Sequence, residues 1–521
     1  MMQEFKKLLK SEIPDFLAKG KEFQSKNMSM MEFKHASGGM GVYAQRGGEK
    51  FMIRLRFLSG VLTVEQLRLV YDYAKKYGLE RLHFTTRQTI QLHDMDIEEI
   101  CQLMEDALDH DIYTRGGGGN YPRNVSLSPM SGVAADEVFD VTPFAIMVNE
   151  HFISKITSYH LPRKLKVSFS NNDKDTGNAT INDLGFLAVE ENGKPYFKMY
   201  FCGGLGNNPR KSLEYDELVP PEDVLYHVEA MVKFFMEEGD YQNRAKARTR
   251  YIPMRMGEEA AIARYKECYQ EIKGTTKLRE LSATLSSRGN ETQRENETQR
   301  ENETKGAIKQ GRENLYTVII HPRGGQLATS DCRTLLEFLE KIPNVELRLD
   351  MDESMYVRNL TKEQAEELIT LTESYSPQVP VWRSVSCIGV PTCQIGICES
   401  QRALYAILDY LLEHKSGMER LPVMHISGCN NSCGRHQVAN LGFVGRRKKV
   451  DGVLVDAYEV FAGGCLGREK TTLGESYGVI AGTKLPEFVS GLAGELEKEQ
   501  TTFDEFYKTE GFRDLVKQFE S

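Results

Sequence analysis

From Phe51 the apolar positions alternate with polar ones in FMIRLRF, take helical spacing in TVEQLRLVYDYAKKYG, alternate through LHFTTRQTIQLH and become helical again in DIEEICQLMEDAL. Alternation puts every second side chain on one face of a strand, and a spacing of three to four puts them on one face of a helix. The prediction is strand, helix, strand, helix with short connections, an α+β unit. TVIIHPRGG, TSDCRTLLEFLEKIP, VELRLDMDESMYVRNL and TKEQAEELITLTES repeat the order. Ahead of Phe51 comes a short amphipathic helix and then the Gly-rich SGGMGVYAQRGG, which reads as an extended arm with turns.

The repetition reaches individual residues. Thr63 matches Thr329 (329 − 63 = 266), Arg123-Asn-Val-Ser matches Arg383-Ser-Val-Ser, and Ser168-Phe-Ser-Asn-Asn matches Ser427-Gly-Cys-Asn-Asn. Leu184-Gly-Phe matches Leu441-Gly-Phe (441 − 184 = 257), and Gly203-Gly204 matches Gly463-Gly464. Collinear matches at a nearly constant offset mark a tandem duplication. Between the copies Asn-Glu-Thr-Gln-Arg-Glu recurs from Asn290 with no apolar residue. That composition cannot bury enough surface to offset its ordering entropy, so a disordered or solvated helical linker is expected.

The copies differ in their chemistry. The second holds two cysteine pairs, Cys387 with Cys393 in SCIGVPTCQIGIC and Cys429 with Cys433 in HISGCNNSCGRHQ. Thiolates on turns of small residues suit a soft metal centre, and the five-residue gap in the first pair is wider than the two to four usual for zinc. A cubane iron–sulfur cluster is the first expectation, with a zinc-stabilised binding module as the non-enzymatic alternative. In the first copy Leu127 aligns with Cys387 and Ser170 with Cys429, while Arg54, Arg87, Lys164 and Lys166 align with Ile320, Glu353, Val423 and His425. Cations on strands are costly to bury unless an anion meets them. Arg54, Arg56, Arg87, Arg123, Arg163, Lys164 and Lys166 therefore read as a pocket for small anions or a polyanionic cofactor.

Composition adds limits. The 521 residues, 40% hydrophobic and 27% charged, suffice for two to four domains, and a net charge of −9 argues against general nucleic-acid binding. The N-terminus has no apolar signal region and no stretch is apolar enough to span a membrane, so a cytoplasmic protein is expected. The single cysteines Cys101, Cys202, Cys268, Cys332, Cys398 and Cys465 are expected to pack as small hydrophobes. The motifs GGLG and GGCLG do not open a strand-to-helix phosphate turn, so no flavin or nicotinamide site is expected.

The cysteine turns together with RQTIQLH, PRNVSLSP and LPRKLK resemble the sirohaem-containing sulfite and nitrite reductases, from about Phe51 to the C-terminal helices. The resemblance implies an α+β fold of duplicated ferredoxin-like half domains and sirohaem/iron–sulfur α/β domains with pseudo-twofold symmetry. Its boundaries would be an arm at 1–50, a first half domain at 51–112, a first reductase domain at 113–280, a linker at 281–312, a second half domain at 313–375 and a second reductase domain at 376–521. It implies that Cys387, Cys393, Cys429 and Cys433 bind a [4Fe-4S] cluster, Cys433 also joining it to the sirohaem iron. Arg54, Arg123, Lys164 and Lys166 would surround the substrate, and Arg87, Gln91, Arg163 and Arg56 would hold sirohaem carboxylates. The implied activity is six-electron reduction of sulfite to sulfide, with nitrite to ammonia as the alternative and a precorrin-modifying enzyme of the same superfamily as a more distant one. The second lysine of Lys164-x-Lys166 favours sulfite, because Lys-x-Asn is associated with nitrite enzymes. Electrons would come from ferredoxin or a similar carrier, and a monomer is expected.

Overall fold

The computed structural model describes residues 2–286, 306–311, 314–414 and 417–520, so most of the expected linker lies outside the described residues. Among the described residues the fold is α+β, with four five-stranded sheets, two per copy.

In the first half domain the strands run in the spatial order Val42–Ala44, Phe51–Arg56, Thr89–Met95, Arg81–Phe84, and the edge is completed by Gln326–Ala328 of the second copy. The second half domain repeats this with Ala307–Lys309, Tyr316–Ile320, Met355–Leu360, Glu346–Leu349, and takes its edge strand, Val61–Leu62, from the first copy. Each copy thus caps the other's open strand edge, which covers backbone groups that would otherwise template aggregation. Both half domains share one continuous apolar core.

Three expectations need correction here. LHFTTRQTIQLH is not one strand but two, Arg81–Phe84 and Thr89–Met95, joined by a tight turn with Gln88 at φ 53°. VELRLDMDESMYVRNL likewise divides into Glu346–Leu349 and Met355–Leu360 around Glu353 at φ 60°. The arm carries three helices where one short helix is expected, while Val42–Ala44 within SGGMGVYAQRGG is extended as expected. Met2–Ser11, Ile13–Gln24 and Met30–Gly38 are helices, the last opened by a reciprocal Ser29/Glu32 cap. Phe23 stacks on Phe33 at 4.4 Å and Phe33 meets Phe51 edge-on at 5.4 Å, which seats the arm on the first sheet. Burial of each ring is worth roughly 1.5–3 kcal/mol.

The other two sheets are mixed. Ser126–Leu127 and Val167–Ser170 pair in parallel, continue in parallel to Leu184–Glu191, and turn antiparallel through Lys194–Phe201 and Leu213–Val219. Val385–Ser386, Met424–Ser427, Leu441–Val450, Val453–Ala462 and Glu475–Ala481 repeat that order.

The register refines the alignment of the copies. Val167 pairs with Leu184 as Met424 pairs with Leu441, and Ser170 Oγ accepts from Gly177 N as Ser427 Oγ accepts from Gly434 N. Ser427 therefore matches Ser170 rather than Ser168, which puts Asn172 opposite Cys429 and Leu421 and Val423 opposite Lys164 and Lys166. Ser128 N donates to Phe169 O as Cys387 N donates to Ile426 O, so Ser128, not Leu127, is the mate of Cys387. Gln88 Oε1 accepts from Leu127 N as Glu353 Oε2 accepts from Ser386 N, so Glu353 is the mate of Gln88 and Asp352 that of Arg87. Gapped local matches had slid by one or two residues, a shift that changes which side chain faces the core.

Candidate active site

A cavity of about 1050 Å³ lies where the copies meet. Arg54, Arg87, Gln91, Arg123, Arg163, Lys164 and Lys166 line it from the first copy, and Cys387, Cys393, Cys429 and Cys433 from the second. The two sequence patterns, cations and thiolates, converge on one space.

Each cation is placed by its strand or turn. Arg54 reaches the cavity from Phe51–Arg56 and donates to the Gly117 carbonyl. With its carboxamide oxygen toward Arg54, the cross-strand neighbour Gln91 accepts from the guanidinium at 2.8 and 2.9 Å and donates to His93 Nε2 at 3.2 Å. Arg87 projects from the tight turn to Ser126 Oγ and Asn182 Oδ1. Arg123 is held by the carbonyls of Gly118 (2.7 Å), Gly119 (2.8 Å) and Tyr121 (3.0 Å). Lys164 and Lys166 flank the fully buried Leu165, so the extended backbone sends both ammonium groups into the cavity. Behind them Asp183 accepts from Lys166 N (2.8 Å) and pairs with Arg248 (2.9 Å).

Arg56 departs from the expectation. It shares a strand face with Arg54 but lies beyond the cavity, fully buried, donating to Arg115 O (2.7 Å) and Asn149 Oδ1 (3.3 Å). It ties the strand to the loop at Gly116 instead of facing a ligand.

Burial, with neighbouring cations adding to it, pulls these groups below their ordinary pKa values: Arg87 and Arg123 to about 9, Arg163 to about 10, and Lys164 and Lys166 well below the usual lysine range. Glu353 is the only carboxylate among the described lining residues, and burial holds its carboxyl well above the ordinary range. So high a density of desolvated positive charge is relieved by a bound polyanion.

The thiolates follow from the parallel strands. Cys387 comes directly after Val385–Ser386 and Cys429 two residues after Met424–Ser427, adjacent strands whose ends bring the two turns together. Cys387 Sγ accepts from Gly428 N at 3.1 Å. Burial, then Cys433 and Cys429, push its thiol up to about 12, the opposite of what a metal-bound thiolate shows and the effect a cationic centre reverses. Among the described residues no three His, Cys, Asp or Glu side chains converge as chelators of one ion. All four cysteines border one common cavity, and thiolates are the ligands an iron–sulfur core takes. Cys433 borders the same cavity as Arg54 and Lys164, and its carbonyl accepts from the Thr86 hydroxyl at 2.9 Å, joining its turn to the turn of Arg87. Cys398 lies outside the cavity, buried, with Sγ against Arg446 O. The other single cysteines are buried except Cys465, half-exposed in a turn.

Several lining residues were not singled out from the sequence. His83 and His93 line the same wall, and burial holds both imidazoles neutral, His93 at about 4. His93 lies two residues past Gln91 on one strand face, a signal present in RQTIQLH. Tyr43 accepts from Gly119 N at 3.0 Å; although burial alone would raise its pKa, Arg123 and Arg54 hold it below the ordinary phenol. Arg435 donates to Met351 O (2.6 Å) and pairs with Asp352.

The model of the nitrite and sulphite reductase 4Fe-4S domain matches residues 118–273 and 380–493, and that of the nitrite/sulfite reductase ferredoxin-like half domain matches 43–110. The chain belongs to the nitrite and sulphite reductase family. It is therefore an oxidoreductase whose cofactors are sirohaem and a [4Fe-4S] cluster, and the residues present fit both groups: cations for the carboxylates, four thiolates for the irons. A ferredoxin–nitrite reductase of Synechococcus elongatus is 27% identical over 80% of each chain. A ferredoxin sulfite reductase of Mycolicibacterium paratuberculosis is 25% identical over 80% of this chain and 74% of its own. The solved structure of the Mycobacterium tuberculosis NirA protein shares the fold, with a TM-score of 0.79 over 94% of this chain and 92% of its own at 21% identity. Among the described residues no helix is long and apolar enough to cross a membrane.

Proposed function

We propose that this reductase takes sulfite as its substrate and receives electrons from ferredoxin. The observation that carries the reading is the pair Lys164 and Lys166, both aimed into the cavity beside Arg123. Sulfite brings up to two negative charges and three oxygens, nitrite one charge and two oxygens. A second ammonium matches the larger anion.

Sirohaem and the cluster would supply the iron chemistry and the electrons of the reduction. Cys387, Cys393, Cys429 and Cys433 would hold the cluster, and Cys433 would also serve the sirohaem site; Arg87, Gln91 and Arg163 would hold sirohaem carboxylates. Arg54, Arg123, Lys164 and Lys166 hold the substrate oxygens and favour charge that builds on them. Lys164 and Lys166, already poised to lose protons, donate them to departing oxygens, while the guanidinium groups stay charged.

Nitrite is the second reading, favoured by the nitrite-reductase names of relatives such as that of Synechococcus elongatus. Steady-state assays with both anions, using reduced ferredoxin or methyl viologen, test the proposal: a kcat/KM for sulfite above that for nitrite is expected, and the reverse order overturns it.

A further inference from the structure

We infer that Arg46 is a positioning residue for the cluster: its guanidinium, reaching over from the first copy, holds the loop of Cys393 and sets the reduction potential of the iron–sulfur centre. The inference rests on the assignment of Cys393 as a ligand.

Arg46 sits at the tip of the hairpin between Val42–Ala44 and Phe51–Arg56. The tip is braced. Gln45 Nε2 donates to Asp94 Oδ1 (2.8 Å), Asp94 N donates back to Gln45 Oε1 (2.7 Å), and Gln45 N closes the turn onto Lys50 O (2.8 Å). From there Arg46 N donates to Thr392 O (3.1 Å), and its guanidinium donates to Gly396 O (3.0 Å) and Cys393 O (3.3 Å). Nearby Gln394 Nε2 meets Met30 Sδ at 2.8 Å. The arm thereby grips the loop that carries Cys393, which Gly396 N closes onto Cys393 O at 3.4 Å. Hydrogen bonds to cluster sulfurs and nearby charge are what tune such centres.

The duplication supplies an internal control. Gln310 N donates to Leu315 O as Gln45 N donates to Lys50 O, and Gly311 N donates to Val133 O as Arg46 N donates to Thr392 O. The mate of Arg46 is therefore Gly311, which makes the same backbone contact with no side chain, against a loop with no thiolate. Docking of the hairpin needs only the backbone bond. The guanidinium is an addition found on the side where the cluster is held.

The test is Arg46→Gly, which copies the other half, with the cluster potential of the purified holoenzyme read by an EPR-monitored redox titration. The potential is expected to move negative and release of iron to a chelator to quicken several-fold, with thermal stability near that of the parent. An unchanged potential overturns the inference. If Arg46→Gly does not load iron, Arg46→Gln, which keeps an amide donor without the charge, decides by the same titration: a negative shift supports the inference and a parental potential overturns it. Iron content of Cys393→Ala tests the ligand assignment separately, since retention of the full cluster there removes that assignment whatever Arg46 does.

Discussion

The turn of Arg87 and the turn of Asp352 occupy equivalent places in the two copies and carry opposite charge. Arg87 points into the cavity and donates to neutral oxygens of Ser126 and Asn182, whereas Asp352 is paired with Arg435. The strand ends that follow diverge in the same sense: the first copy has Ser128 and Asn172 where the second has Cys387 and Cys429. One scaffold thus presents cations on one side and soft ligands on the other, and pseudo-twofold packing turns two half sites into one. Duplication allows this because each copy keeps its buried struts, Gln88 and Glu353, while the residues next to them change.

Exchanges between the copies break or sharpen this comparison. The largest effect is expected from Cys429→Asn, which installs the first copy's residue: iron–sulfur content and activity should both be lost, as measured by metal analysis and the visible spectrum. Next, Lys164→Leu, again the mate's residue, should lower kcat/KM about 100-fold or more, the scale of losing one charge-stabilising donor. Lys166→Asn should move the sulfite-to-nitrite ratio of kcat/KM toward nitrite by about tenfold, the scale of one charge-assisted hydrogen bond; an unchanged ratio would remove the reason for preferring sulfite. A pH effect follows from the lysines. Their pKa values are depressed in the free protein and rise when an anion binds, so anion binding takes up protons. Calorimetry of sulfite binding in buffers of differing ionisation enthalpy should show that uptake, and its loss as pH falls below the depressed values. The smallest effect on chemistry belongs to Arg56→Met, which should cost roughly 1–3 kcal/mol of stability, from the Arg115 carbonyl that loses its guanidinium donor, and leave the sirohaem spectrum unchanged.

Much of this was legible in the sequence because it lay in short motifs. The duplication, the cysteine turns and the Lys-x-Lys pair are local patterns, and period-two reasoning correctly sends Lys164 and Lys166 the same way. What stayed hidden was set by contacts distant in sequence. The turns at Gln88 and Glu353 carry no Gly, Pro or Asn to announce them, and their left-handed residues are held by hydrogen bonds to Leu127 and Ser386. Strand faces separated Arg54 from Arg56 less than depth did: both share a face, but only Arg54 is level with the cavity. The exchanged edge strands Val61–Leu62 and Gln326–Ala328 are too short to read, since their partners lie in the other copy. Arg435 is identified by what it touches, Asp352, the residue that stands where the first copy has Arg87.

The central claim is that thiolates of one copy and cations of the other hold a joined pair of iron centres. Iron, acid-labile sulfide and the visible spectrum of the purified protein test it together. The account predicts about five irons per chain, four labile sulfides, and the Soret and long-wavelength bands of sirohaem. A colourless protein holding one zinc and no iron would contradict it.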